Sequence, residues 1–295
     1  MTVTREPALP GDPAPDGTTV STLLGVLEAA YPLDWAEPWD RVGLVLGERE
    51  ADVRRVLLAV DPTVAVAREA VDLGAELLIT HHPLLLRGAS FLPADDGKGA
   101  VVTHLLRHGT ALWCGHTNVD RSTRGTVGAW LSLLDLQDAR PLLPGEPAAE
   151  AAHGSRRFGL GAVGTLPQPT TVGALTAMIA GSVPATARGI LHTGPAEREV
   201  RTVALCPGAG DSFLEAAVGT GADVYLTSDL RHHPALEHLE SAADEASVPA
   251  LIDVPHAASE ALWLPLAREL LTSAVPGLEV HLSTRTTDPW GGRAG

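Results

Sequence analysis

The chain has 295 residues, a formal net charge of −15 and 45% hydrophobic residues. That is long enough for one large or two modest cores and apolar enough to fold. Lys98 is its only lysine, and the absence of a basic stripe argues against nucleic acid as the main partner. Two cysteines, Cys114 and Cys206, cannot make a disulfide framework. No apolar run reaches the length of a membrane span, and the first residues carry neither a basic nor an apolar leader region. The expected location is therefore the cytoplasm.

In chain order, residues 1–18 are rich in Pro, Gly and Asp and predict a disordered tail. A helix is expected from Thr18, Thr19 or Ser21, burying Leu23, Leu24, Val26 and Leu27. "PWDRVGLVLGE" (38–48) then predicts a loop entering a short strand. Strand (53–60), helix (62–73), strand (75–80), helix (about 97–108) and strand (111–115) follow, a βαβ alternation. The Pro-rich stretch 137–157 predicts a linker, after which the alternation resumes. Set against residues 200–227, residues 53–80 align without a gap, with Val53/Val200, Arg54/Arg201, Gly74/Gly221, Ala75/Ala222 and Thr80/Thr227 identical. One α/β module thus occurs twice, and His81-His82 stands where the second copy has Ser228-Asp229.

The chemistry concentrates at strand ends. "LLITHHP" closes an apolar strand with two imidazoles and a proline. Alone, such a pair reads more often as a surface turn. "LWCGHTNVD" ends another strand with His116 and Asp120. "LIDVPHAASE" sets His256 and Glu260 four apart, on one face of a helix's first turn. In parallel α/β folds, ligands collect beyond the carboxyl ends of strands, where all three clusters fall. Imidazoles with carboxylates able to bridge make a mixed nitrogen and oxygen shell for two divalent ions.

Two other motifs favour a structural reading. Gly159, Gly161 and Gly164 spell a dinucleotide fingerprint, but "TLPQP" follows where that motif needs a helix. "CPGAGDSF" (206–213) could present Gly208, Gly210 and Ser212 to an anion, although a tight strand-to-helix turn is the preferred reading. His232-His233 lacks partners at ligand spacing and predicts a helix surface or pocket rim. Trp35, Trp39 and Trp263 flank the motifs and suit either a core or an interface between subunits.

In this order, "WDRVGLVLGE", "LLITHHPLL", "HTNVD", "GADVYLTSDLRHH" and "IDVPHAASE" resemble the Nif-three-like family of dinuclear-metal proteins, often labelled "GTP cyclohydrolase 1 type 2 homolog". The resemblance runs from about residue 20 to 290. It implies an α/β fold of two intertwined α/β repeats with mixed sheets, closing as a homohexamer around a cavity. By motif position the family's metal ligands fall on His81, His82, Asp120, His256 and Glu260, with His116 as a further ligand or general base. Two divalent ions per subunit (Zn, Fe or Mn) are implied. The chain departs from the family at Trp39-Asp40-Arg41, Thr227-Ser228-Asp229 and Pro255-His256, where Trp-Asp-Asn, Thr-Gly-Asp and Gly-His are usual. The expected organisation is a tail (1–18), a metal-binding module (19–136 with 250–290), a linker (137–157) and a second repeat (158–249). The expected function is metal-dependent hydrolysis of a small phosphorylated or nucleotide-like substrate. The alternative is a non-enzymatic metal-binding scaffold.

Overall fold

The computed structural model describes residues 17–143, 151–244 and 247–294. Most of the expected tail, residues 1–16, lies outside them. Thr18 already belongs to the fold: it is buried, and its carbonyl accepts from the Val53 amide.

Thr19 caps the first helix, α1 (Val20–Ala30), by accepting from the Thr22 amide, so the helix starts where its hydroxyl satisfies an otherwise free N–H. Its apolar face, Val20, Leu23, Leu24 and Leu27, is buried while Val26 is only partly so. Truncating one such side chain, as in Leu24→Ala, costs about 2–5 kcal/mol. The chain continues through β1 (Gly43–Leu46), β2 (Arg55–Ala59), α2 (Val64–Leu73), β3 (Leu77–Thr80), α3 (Gly97–Arg107) and β4 (Ala111–Cys114). A short helix α4 (Thr117–Asp120) and α5 (Thr126–Leu134) follow. The second half holds β5 (Gln137–Pro141), β6 (Ala162–Thr171), α6 (Val172–Ala180), β7 (Leu191–His192), β8 (Glu199–Ala209) and α7 (Leu214–Thr220). It continues with β9 (Val224–Ser228), α8 (His232–Leu239), β10 (Ala250–Asp253), α9 (His256–Glu260), α10 (Trp263–Ala274) and β11 (Glu279–Leu282).

These strands make two mixed sheets, ordered β1-β4-β3-β2-β11 and β5-β6-β8-β9-β10-β7. In the first, β4, β3, β2 and β11 are parallel and β1 is antiparallel. In the second, β8, β9 and β10 are parallel, and β5, β6 and β7 run antiparallel to their neighbours.

The internal repeat is structural. Helices α2 and α7 both end on a left-handed glycine, Gly74 and Gly221, each at φ 70°, a conformation that a Cβ disfavours. Beyond each glycine one carboxylate ties down the start of the preceding strand. Glu76 accepts from the Arg54 and Arg55 amides, and Asp223 accepts from the Arg201 and Thr202 amides. The correspondence extends to a third strand: the Ala111 amide donates to the Glu76 backbone carbonyl, and the Ala250 amide to the Asp223 backbone carbonyl.

The halves interlock. β10 completes the second sheet, and the chain returns to the first only through α9 and α10, where β11 pairs with β2. Helix α5 reciprocates, burying Val127 and Trp130 in the second core. Trp130 also donates its indole N–H to Ser259, whose hydroxyl and carbonyl are both in reach.

The stretch expected as a linker begins differently. Gln137–Pro141 forms an edge strand against β6, with a register shift between Gln137 and Arg140. Its mostly exposed, polar side chains give no alternation to read. Residues 144–150 of that stretch lie outside the described residues. The glycine motif at 159–164 runs straight into β6, and no helix follows it. Among the described residues, no helix is long and apolar enough to cross a membrane.

Candidate metal centre

The parallel order of β2, β3 and β4 brings their carboxyl ends to one edge. The His81 and His82 amides donate to the Ala59 and Val60 carbonyls, so the two histidines leave β3 pinned against the end of β2. The Gly115 amide donates to the Thr80 carbonyl, which fixes the start of the turn carrying His116. From the opposite side α9 presents His256 and Glu260 four residues apart, sharing one face.

Each of the four imidazoles has its Nδ1 held by an oxygen. His81 Nδ1 lies 2.9 Å from the Gly115 carbonyl, and His82 Nδ1 2.7 Å from Asp61 Oδ1. His116 Nδ1 is 2.9 Å from Asp40 Oδ1, and His256 Nδ1 2.6 Å from Asp229 Oδ2. With Nδ1–H donated outward, each ring turns an Nε2 lone pair inward, the arrangement that orients histidine ligands on metal ions.

Glu260 stands at the focus. Its Oε1 lies 2.9 Å from His256 Nε2 and 3.4 Å from His81 Nε2, and its Oε2 lies 2.9 Å from His82 Nε2. Asp120 approaches from α4, its Oδ1 being 3.5 Å from His81 Nε2 and held by the Thr126 hydroxyl. Two sets of donor atoms each fall within 4.8 Å of one another, His81 with His82 and His116, and His82 with His256 and Glu260. All six expected residues thus meet at one place.

This donor set fits a divalent transition ion. His82 Nε2 faces His256 Nε2 at 3.2 Å, a spacing at which two lone pairs need a proton or a metal ion between them. Two nitrogens about 2.0–2.1 Å from a single tetrahedral ion sit at nearly that spacing. His81 Nε2 is buried without a hydrogen bond, and a buried polar atom left so is costly unless something fills the gap.

Without an ion, protons do the balancing. Burial alone would depress the His82 pKa, but Glu260 and Asp61 outweigh it and push it up to about 11. Burial is likewise overridden at His256 by hydrogen bonds to Asp229 and Glu260, giving about 10. Burial would raise Glu260, yet the charges of His81 and His82 hold it well below the usual carboxylate range.

Three carboxylates of the outer layer, Asp40, Asp61 and Asp229, were not among the expected site residues. Asp61 lies just past β2, at the same sheet edge as His81. Asp229 aligns with His82 in the repeat, so the copy without the His pair supplies the anchor for His256. Gly208 is a further contributor. At φ +71° it brings β8 so close that a Cβ there would stand 2.5 Å from Glu260 Oε1. The carbonyls of Gly208 and Gly210 are occupied by the Thr227 and Tyr225 hydroxyls, as in a tight turn. His232 and His233 start α8 at the surface and belong to neither donor group.

A cavity of about 430 Å³ opens over the cluster, reaching Asp120, His116, His256 and Glu260. Its size suits a small molecule.

Fold and site together define an α/β protein of two interlocked mixed sheets, with a histidine and carboxylate cluster that could hold metal. Residues 18–289 match the Duf34/NIF3 (NGG1p interacting factor 3) family, and the chain belongs to it. It is 42% identical over 275 residues to the "GTP cyclohydrolase 1 type 2 homolog" of Streptomyces coelicolor, covering 92% of this chain and 93% of that protein. It is 33% identical over 224 residues to "NIF3-like protein 1" of Drosophila melanogaster, covering 75% and 73%. The crystal structure of a Bacillus cereus protein related to NIF3 superposes with a TM-score of 0.81 at 21% identity, over 93% of this chain and 99% of that one. That likeness shows the fold.

Proposed function

We propose that the chain binds two divalent transition-metal ions through His81, His82, His116, Asp120, His256 and Glu260, and hydrolyses a small phosphorylated or nucleotide-like substrate there. The observation that carries this reading is the convergence of three Nε2 atoms, those of His81, His82 and His256, each fixed by an outward Nδ1 contact, on one buried carboxylate, with the similarly tethered His116 beside His81 and His82. Glu260, whose Oε1 faces His81 and His256 and whose Oε2 faces His82, would help hold both ions, and Asp120 would be a second carboxylate of the set. A metal pair supplies Lewis acidity, acidifying water and drawing charge from a phosphoryl or carbonyl oxygen.

The remaining work falls to the chain itself. Asp40, Asp61 and Asp229 hold three rings in the productive tautomer. His116 shares their tethered geometry, so it is assigned as a terminal ligand rather than a free base. Zn, Fe and Mn suit such a nitrogen-rich set better than Mg. Several relatives carry a name that refers to GTP cyclohydrolase, which puts purine ring opening in the substrate panel. It does not supply a purine pocket here.

The test is a panel of phosphomonoesters, phosphodiesters and nucleotides, including GTP, incubated with chain of known metal content. Turnover that disappears in both the chelated protein and Glu260→Gln supports hydrolysis. A fully loaded protein that turns over nothing would leave a metal-binding scaffold as the reading.

A further inference from the structure

The cavity over the cluster has two kinds of wall. Its floor is the polar set just described, and Trp39, Phe213, Leu160, Val127 and Pro207 line its sides. No lysine or arginine is among its lining residues. Trp39 is the unusual member. It is 55% exposed, whereas Trp35 and Trp263 are buried in the core.

Its backbone is fastened on both sides. Before it, the Glu37 amide donates to the Thr117 hydroxyl, and the Glu37 carboxylate pairs with Arg121. After it, Asp40 accepts from the Thr117 amide and hydroxyl and holds His116 Nδ1. The Asp40 amide donates back to the Glu37 carbonyl and closes the turn. A loop anchored this firmly to α4 still leaves its largest apolar side chain in the opening. The indole stands edge-on to His116, ring centroids 6.0 Å apart at 76°.

We propose that Trp39 is the wall of a substrate subsite that receives a planar aryl or heteroaryl group, while the charged end of the same molecule meets the metal cluster. This rests on the proposed metal-dependent function. A ring entering the cavity would find an indole face carried on a tethered backbone and apolar contacts beyond it, and stacking on a side chain whose backbone is already fixed carries a reduced entropic cost. With no cation in the walls, the anionic group has only the cluster to go to. That fixes the direction of entry, ring outward and anion inward.

The probes are phenylphosphonate and methylphosphonate, which share an anionic head and differ only in the ring. Each is titrated calorimetrically into full-length protein whose bound metal has been counted. The phenyl compound is expected to bind about tenfold tighter. Trp39→Leu should abolish most of that preference without changing the methyl compound's affinity, and Trp39→Phe should retain it. Equal binding of the two probes by metal-loaded wild-type protein would overturn the subsite alone. Protein that holds no metal would overturn the proposed function, and the subsite with it. An aryl preference that survives in Trp39→Leu, while that variant changes mass in light scattering, would place Trp39 in a subunit interface and overturn the inference.

Discussion

At the scale of single residues, rank among the ligands follows from how many donors each one faces. Glu260 addresses three imidazoles and Asp120 the buried His81, whereas His116 sits at one end of the set. Glu260→Ala should therefore lose more metal than His116→Ala, and so should Asp120→Ala because a carboxylate can be shared by two ions, as read by elemental analysis of the purified variants. A His116→Ala protein stripped of metal beside a Glu260→Ala protein that stays full would reverse the ranking. Protonation follows the same geometry. In metal-free protein His82 and His256 titrate near 11 and 10, above the usual value of about 6.5 for imidazole. Folded-state values raised in this way add stability that is complete below about pH 6.5 and is lost as pH climbs through 10 to 11. The melting temperature of EDTA-treated protein should accordingly fall between pH 7 and 11. Metal uptake at pH 8 should also release protons, roughly two per chain, measurable by calorimetry in buffers of different ionisation enthalpy. Uptake with no proton release would contradict the raised His82 and His256 values of the metal-free protein.

At the scale of elements, the repeat makes paired predictions. Glu76 and Asp223 each gather two strand amides at equivalent places, one in each sheet. Removing either, as Glu76→Ala or Asp223→Ala, should cost about 1–3 kcal/mol in denaturant unfolding, with similar losses at both sites. A large loss at one and none at the other would mean the copies have diverged in what holds them. Much of this layer is legible in the sequence. The helix from Thr19, the strands near 55–59 and 77–80 and the helix–strand pair at 97–114 all show their period or their caps. So do His81, His82, His116, Asp120, His256 and Glu260, because each stands where an apolar run stops. Less visible are elements without a pattern. β5 is a polar edge with a shifted register, and β7 has two exposed residues. The anchors Asp61 and Asp229 are single carboxylates in loops, and only the folded sheet edges show which imidazole each one faces.

At the scale of the molecule, the exchange of α5 and α9–α10 between the two cores joins the sheets into one body, with the cluster between them. Trp35 and Trp263, candidates for an interface by position, are core residues, and Trp263 donates to the Tyr31 hydroxyl. Apart from Trp39 in the cavity, the large aromatic residues that remain exposed include Phe91 and Trp290. Family membership leads us to expect closed assembly of identical subunits, and large exposed aromatic residues are consistent with it. Light scattering of the full chain should then give a mass several times 30.7 kDa, sixfold for a hexamer. A monomer that binds metal would leave the cluster open to larger substrates and would exclude an enclosed cavity.

All of these expectations depend on ions occupying the histidine and carboxylate cluster. The most direct measurement is elemental analysis of protein purified without chelators, with EDTA-treated protein as the control. Roughly two transition-metal ions per chain are expected, with a melting temperature that drops when EDTA removes them. Protein that carries no bound metal and melts at the same temperature with and without EDTA would contradict the assignment of the cluster as a metal centre.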